Sequence, residues 1–177
     1  MVKNLSITLG YILFFLLSLM YFTPKVTLFY LLEKELQKYD VVVSNEILVD
    51  NGFSLNVNDG SVFVKSIESA KIKEANIKIF GIYNSVNLNE IRLSNAAASF
   101  VPLYIDEFNV RYSIFNPLNV KAYAIGEFGE AEASFSILDM ALHVDVEPSA
   151  KMQKEYKNSM RQLSKSEDGG YSYDKTF

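Results

Sequence analysis

Hydrophobic positions fall into distinct regimes along the chain. From Asn4 to Pro24 no residue carries a charge, and Leu5–Phe22 (LSITLGYILFFLLSLMYF) is dense in Leu, Ile and Phe. Roughly 20 apolar residues at ~1.5 Å rise cross the ~30 Å hydrocarbon layer, so this run is long enough to span a bilayer as a helix. Its lipid-facing side chains would be Leu5, Ile7, Leu9, Ile12 and Leu13, then Phe14, Phe15, Leu16, Leu17, Leu19 and Phe22. Ser6, Thr8 and Ser18 can return their hydroxyls to the helix backbone, and Tyr11 and Tyr21 lie toward the ends, where amphipathic rings favour the interface. The competing reading is a cleaved signal peptide, which needs about 7–15 apolar residues and a small-x-small cleavage site. The run here is longer and ends Met20-Tyr21-Phe22-Thr23-Pro24, without a small pair, which favours an uncleaved anchor over residues 1–24. A buried core helix fits this uncharged N-terminal stretch least well of the three.

A different period follows. Val26, Phe29, Leu32, Leu36 and Tyr39 recur at three- and four-residue intervals, the spacing of one helical face, with Lys25, Glu33, Lys34, Gln37 and Lys38 as the polar remainder. Thr23-Pro24 makes a helix start, with Thr as cap and Pro in the first turn. Residues 25–39 are therefore predicted to form an amphipathic helix at the membrane exit, either covering a sheet or lying on the bilayer.

From residue 40 to 147 the pattern alternates with period two. Phe53-x-Leu55-x-Val57 leads into Asn58-Asp59-Gly60, read as a tight hairpin turn, and Ser61–Ile67 returns. Three segments then align: Ala70-x-Ile72-x-Glu74-Ala75-x-Ile77, Val86-x-Leu88-x-Glu90-Ile91-x-Leu93 and Leu103-x-Ile105-x-Glu107-Phe108-x-Val110. Their glutamates are 16 and 17 residues apart. In each, the apolar positions change parity at the Glu. A pleated strand tolerates such a slip only if a bulge or corner resets its register, so each unit is one bulged strand or two short ones, repeated as a meander. Asn116-Pro117 and Gly126-x-x-Gly129 interrupt the alternation, and Ala131–Ile137 and Met140–Val146 form a closing hairpin around Leu138-Asp139. Ala122, Ala124, Ala131 and Ala133 suggest a lightly filled sheet face. After Glu147-Pro148, Met152, Tyr156, Met160 and Leu163 make a narrow apolar stripe over 148–165, read as a C-terminal amphipathic helix and a candidate partner contact. Residues 166–177, with Gly169-Gly170, read as a mobile tail. The fold expectation is mainly β: a transmembrane helix, a short amphipathic helix, a curved antiparallel meander of bulged strands and a C-terminal helix.

Composition narrows the chemistry. The chain has 177 residues, a net charge of −4, no cysteine and one histidine. Thiol catalysis, Cys-ligated metals and multi-His sites are thereby excluded, and no basic face exists to displace counterions from nucleic acid. Lys3 before the span and Lys25 after it, followed by mixed charges, give a slight bias for a cytoplasmic N-terminus, with the body then facing the periplasm or the cell exterior. His143-x-Asp145-x-Glu147, with Asp139 on the same parity, offers metal-ligand chemistry, but Leu142, Val144 and Val146 alternate with it, so the set reads as the wet side of a strand and no metal site is assigned. Asp106 and Glu107 point to opposite faces, no Gly-x-Ser-x-Gly elbow exists, and Gly126–Gly129 is too short and acidic to cradle phosphate. No catalytic residue and no cofactor is expected.

The layout resembles the N component of type II secretion systems (GspN) and the related AsmA-like membrane proteins. The residues that carry the resemblance are Pro24 beyond the anchor, the stretch from Asp50-Asn-Gly52 to Asn58-Asp-Gly60, Asn116-Pro-Leu118, Gly126-x-x-Gly129 and Glu147-Pro-Ser149. It is a likeness of layout over most of residues 5–150, in a chain shorter than typical members. It implies a non-catalytic accessory component of a secretion, type IV pilus or DNA-uptake machine, with other envelope proteins as partners, through β-augmentation or helix contacts. The alternative it implies is a lipid-binding or lipid-transfer module, with Phe53, Leu55, Val57, Phe63, Ile77, Ile79, Phe100, Phe108, Phe128 and Phe135 lining an apolar groove; a sealed β core is the plainer reading of those residues.

Overall fold

The computed structural model describes residues 2–165 and 170–177, with side chains from residue 5 onward. An apolar helix α1 (Val2–Phe22) is followed, after a break at Thr23-Pro24, by α2 (Lys25–Gln37). Then come β1 (Val41–Ser44), β2 (Ile47–Asp50), β3 (Leu55–Val64), β4 (Ile67–Ile79), β5 (Tyr83–Leu93), β6 (Tyr104–Ser113), β7 (Asn119–Gly126), β8 (Gly129–Ser136) and β9 (Ala141–Pro148). Two short helices, α3 (Ala150–Glu155) and α4 (Lys157–Met160), lead to β10 (Ser164–Lys165) and β11 (Tyr171–Thr176). All the strands belong to one antiparallel sheet, in the order β1-β3-β4-β5-β6-β7-β8-β9-β11-β10, with β2 sharing β3's outer edge with β1. The mainly-β meander anticipated from the alternation is the observed fold.

The parity slips meet along one line across the sheet. Asn58 pairs with Glu74 and Gly60 with Ile72; Glu74 pairs with Asn89 and Ile72 with Ile91; Asn89 pairs with Glu107 and Ile91 with Ile105. One residue per strand is skipped at the same level: Asp59, Lys73, Glu90 and Asp106. Because each strand carries the same extra residue, register resumes unchanged beyond the line and the apolar rows rejoin, Val57–Ala75–Leu88–Phe108 on one side and Gly60–Ile72–Ile91–Ile105 on the other. Asp59 and Glu90 adopt left-handed backbone (φ 56° and 51°), which supplies the half-turn the slip needs. The crease ends at β7, where Ile105 pairs with Gly126 but Glu107 with Ile125, an ordinary one-sided bulge. On the other side it coincides with the gap between β1 and β2, at Asn45 (φ 66°). The repeated units are thus single bulged strands.

Several expectations are corrected. Asn58-Asp59-Gly60 is part of the crease inside β3; the hairpin turn is Lys65-Ser66, both with positive φ, as a two-residue loop requires. Asp-Gly supplies left-handed backbone to either structure, so local sequence does not separate the two. The C-terminal helix expected over 148–165 is two helices broken at Tyr156 (φ −112°, ψ 41°), followed by β10. The tail expected to be mobile forms β11 at 171–176, paired with β9 from Tyr171↔Val146 to Thr176↔Ala141; its part at 166–169 lies outside the described residues. An open edge of β9 satisfies this polar strand's backbone, which its composition did not advertise.

The core is small and lies at one end of the sheet. Leu55, Val57 and Ala75 are buried beneath Val26 and Phe29 of α2, with Leu48, Ile72, Ile77 and Leu88 around them. Val26, Phe29 and Leu36 face inward as the helical spacing predicts, whereas Leu32 and Tyr39 are exposed. Toward β6–β9 the same apolar face continues through Val110–Ala122–Ala133–Val144 and Phe108–Ala124–Ala131–Val146, all only half-buried.

Candidate functional site

The most heavily determined feature is the junction between α1 and the sheet. Lys25, the first residue of α2, is fully buried. Its ammonium donates to the carbonyls of Met20 (3.1 Å) and Tyr21 (3.4 Å), two of the acceptors that a helix leaves unsatisfied at its C-terminal end, and to that of Thr23 (3.1 Å) just beyond. Asp50, at the end of β2, stands 3.8 Å from the same nitrogen. The Thr23 hydroxyl donates to Leu19 O at 2.7 Å, so Thr23 closes α1 and does not cap α2 as expected; Pro24 occupies the cap position. Sequence patterning counted Lys25 among the polar residues of the helix, because hydropathy carries no information about a charge turned back onto carbonyls.

Aromatic packing extends this junction into the sheet. Tyr21 meets Phe53 edge-on at 5.4 Å between centroids, and Phe53 meets Phe80 at 6.5 Å. Gly52 lies beneath the Tyr21 ring with φ +78°; a Cβ there would run into the ring's Cε2 and Cδ2. The Asp50 carboxylate accepts from the Gly52 amide at 2.8 Å, fixing the β2–β3 turn that presents Phe53. The last turn of α1 is therefore packed as part of the β domain. The window Leu5–Phe22, which ends in that turn, includes all eleven predicted anchor side chains, and none of its residues is buried. An apolar helix of this length and exposure is consistent with a single membrane anchor or a signal sequence.

The polar face of the sheet carries a second feature, an open groove of about 1000 Å³ over β6–β9. Its floor combines Arg111, Lys121 and His143 with Glu132 and Asp145, a mixture of both signs. Beside it runs a row of asparagines, Asn56, Asn76, Asn87 and Asn109, on four successive strands. The Asn76 side-chain amide donates to Asn56 Oδ1 and that of Asn109 to Asn87 Oδ1 (3.3 Å), and Arg111 Nε donates to Asn109 Oδ1. His143 is held between carboxylates, Nδ1 to Asp174 at 2.6 Å and Nε2 to Asp145 at 3.0 Å. The Asp174 hydrogen bond, with the Asp145 charge, raises its pKa above the ordinary histidine value. Of the four residues weighed as metal ligands, Asp139 bonds Ser136 instead, and among the described residues no group of three or more His, Asp or Glu is disposed to hold a metal ion.

Other expected site residues are dispersed. In the stripe read as a partner contact, Met152 and Met160 are buried at 6% and 8% exposure and Tyr156 and Leu163 are half-buried, so most of the stripe is already covered within the chain, α3 lying against β9. The spacing signalled an apolar face correctly, but not what covers it. The ten residues offered as a lipid groove do not line one cavity: Leu55 and Val57 lie under α2, Phe53 is on Tyr21, and Phe100 is exposed in the β5–β6 connection. Gly126 and Gly129 serve the β7–β8 turn as expected, Gly129 with φ +114° against the Glu147 carbonyl.

No protein-family model matches the chain, and no curated protein or solved structure does.

Proposed function

We propose that this protein is a single-pass protein of the bacterial inner membrane whose β domain projects into the periplasm and serves, without catalysis, as a scaffold in a secretion, type IV pilus or DNA-uptake machine. The observation that carries the reading is the half-buried apolar face of β6–β9. A sheet is stable when its apolar face meets a second layer, and α2 supplies one only around β3–β5. A partner chain laid on that face would complete it. The junction supports retention of the anchor: cleavage after Phe22 would remove two of the three carbonyl acceptors of Lys25, those of Met20 and Tyr21, together with the ring over Gly52, leaving the buried cation only Thr23 O and Asp50. The likeness of layout to GspN and AsmA-like proteins points to an envelope machine.

Photo-crosslinking in native membranes tests this. A photoreactive residue at Ala124, on the apolar face, is expected to give protein adducts that mass spectrometry identifies as envelope-machine components, while one at Ser134, on the opposite face, does not. Absence of any such component from the Ala124 adducts overturns the scaffold role. Lipid adducts at Ala124 in their place would favour the lipid-module alternative.

A further inference from the structure

The connections at one end of the strands are unusually apolar for exposed turns. The β4–β5 connection presents Ile82, the β6–β7 connection Phe115 and Leu118, the β8–β9 connection Leu138 and Met140, and the chain closes with Phe177. Phe115 is 85% and Leu138 73% exposed. These connections form one hydrogen-bonded rim: Ile114 N–H donates to Ile82 O, Ile137 N–H to Leu118 O and Phe177 N–H to Met140 O. At the opposite end the turns run through Lys65-Ser66 and Glu127-Phe128, and the large exposed apolar or aromatic residues are fewer: Tyr39, Val64, Ile67 and Phe100.

The rim begins where α1 ends. Tyr21 touches Phe53, Phe53 touches Phe80, and Phe80 opens the β4–β5 connection that carries Ile82. From there α2 runs away from the rim, since its first residue meets Asp50 while Asp40, three residues beyond its end at Gln37, accepts from Lys65 N–H at the far turn. If α1 crosses a bilayer, the rim stands at that bilayer's surface.

We infer that this rim is a second membrane contact, its apolar tips immersed in the interfacial layer of the leaflet from which α1 emerges. The inference rests on the anchor reading and adds an orientation to it: strands upright on the membrane, the Lys65-Ser66 end outermost. Isolated Phe, Leu and Ile side chains on separate turns suit a fluid interface, which accommodates each tip independently, better than a rigid protein pocket, which needs one contiguous patch. Successive strands are spaced ~4.8 Å apart and turn by roughly 20–25°, so contact should be strongest at the β4–β5 and β6–β7 tips, nearest the span.

The chain has no cysteine, so single cysteines can carry an environment-sensitive NBD fluorophore at will. Full-length Ile82→Cys, Phe115→Cys, Ser66→Cys and Leu13→Cys proteins would be labelled and reconstituted in phosphatidylethanolamine–phosphatidylglycerol vesicles, with and without a lipid bearing a shallow nitroxide quencher. Labels at 82 and 115 are expected to be blue-shifted and quenched by the nitroxide lipid, and the label at 66 to be neither. Labels at 82 and 115 that match the one at 66, while the label at 13 reports the acyl region, overturn the rim contact and leave the anchor standing. A water-exposed label at 13 overturns both.

Discussion

Replacing Lys25 with Met tests whether the span is fused to the β domain or merely tethered to it. Methionine keeps the length and helix propensity of the side chain but withdraws three donors and a charge. The carbonyls of Met20, Tyr21 and Thr23 lose a charged donor, and Asp50 loses a cation 3.8 Å away. The gross attraction at 3.8 Å is about 4 kcal/mol at an effective dielectric of 20, largely offset by the desolvation already incurred. Because Asp50 is partly exposed and solvent screens it once unpaired, the cost is that of the charged hydrogen bonds to the carbonyls, about 1.5–3 kcal/mol. Across that range the local opening equilibrium of the junction rises roughly 10- to 150-fold. Hydrogen exchange by mass spectrometry on protein in nanodiscs reads this directly: amides of Ile47–Asp50 and of α2's first turn should exchange faster by about one to two orders of magnitude, with β7–β9 unaffected. Asp50→Asn keeps the carbonyl contacts and should cost only about 1 kcal/mol. Junction amides that exchange in Lys25→Met as slowly as in the parent would refute the claim that the buried ammonium holds α1 to the sheet.

Three further outcomes are expected. Leu55→Ala, at 1% exposure in the centre of the small core, should destabilise the domain by about 2–5 kcal/mol in denaturant melts followed by circular dichroism, and loss below 1 kcal/mol would show that α2 is not the stabilising layer. At the crease, Glu90→Val places a β-branched residue at φ 51° and should cost about 1–2 kcal/mol, whereas Glu90→Gly should be nearly neutral, strain relief offsetting the exposed ion pair with Lys73; equal losses in both would place the cost in that ion pair. For β11, the raised pKa of His143 means protonation favours the docked strand. That contribution is complete below the ordinary histidine pKa of about 6.5 and is lost as pH rises through the raised value. With His143 nearly half exposed, screening limits it to about 0.5 kcal/mol, a roughly twofold rise in exchange at Tyr171–Thr176 that His143→Gln should abolish.

Residue pattern alone determined a good deal of this molecule. The uncharged run at Leu5–Phe22 specifies an apolar helix because length and hydropathy suffice for it. The parity slips at Lys73-Glu74, Asn89-Glu90 and Asp106-Glu107 require a bulge or a corner in each unit, because side chains alternate with period two and an extra residue is visible as an error in that count; the pairing across β3–β6 made it the bulge. What the pattern could not place was anything that depends on a distant partner. Asp59-Gly60 became crease and not turn because the neighbouring strands slip at the same level. Met152 turned inward because α3 lies against β9, and Tyr171–Thr176 became a strand because β9 offered an unsatisfied edge. Lys25 is the sharpest instance: its burial is decided by helix-end carbonyls and by Asp50, 25 residues away, and an ammonium's partners are not written in its own neighbourhood of the chain.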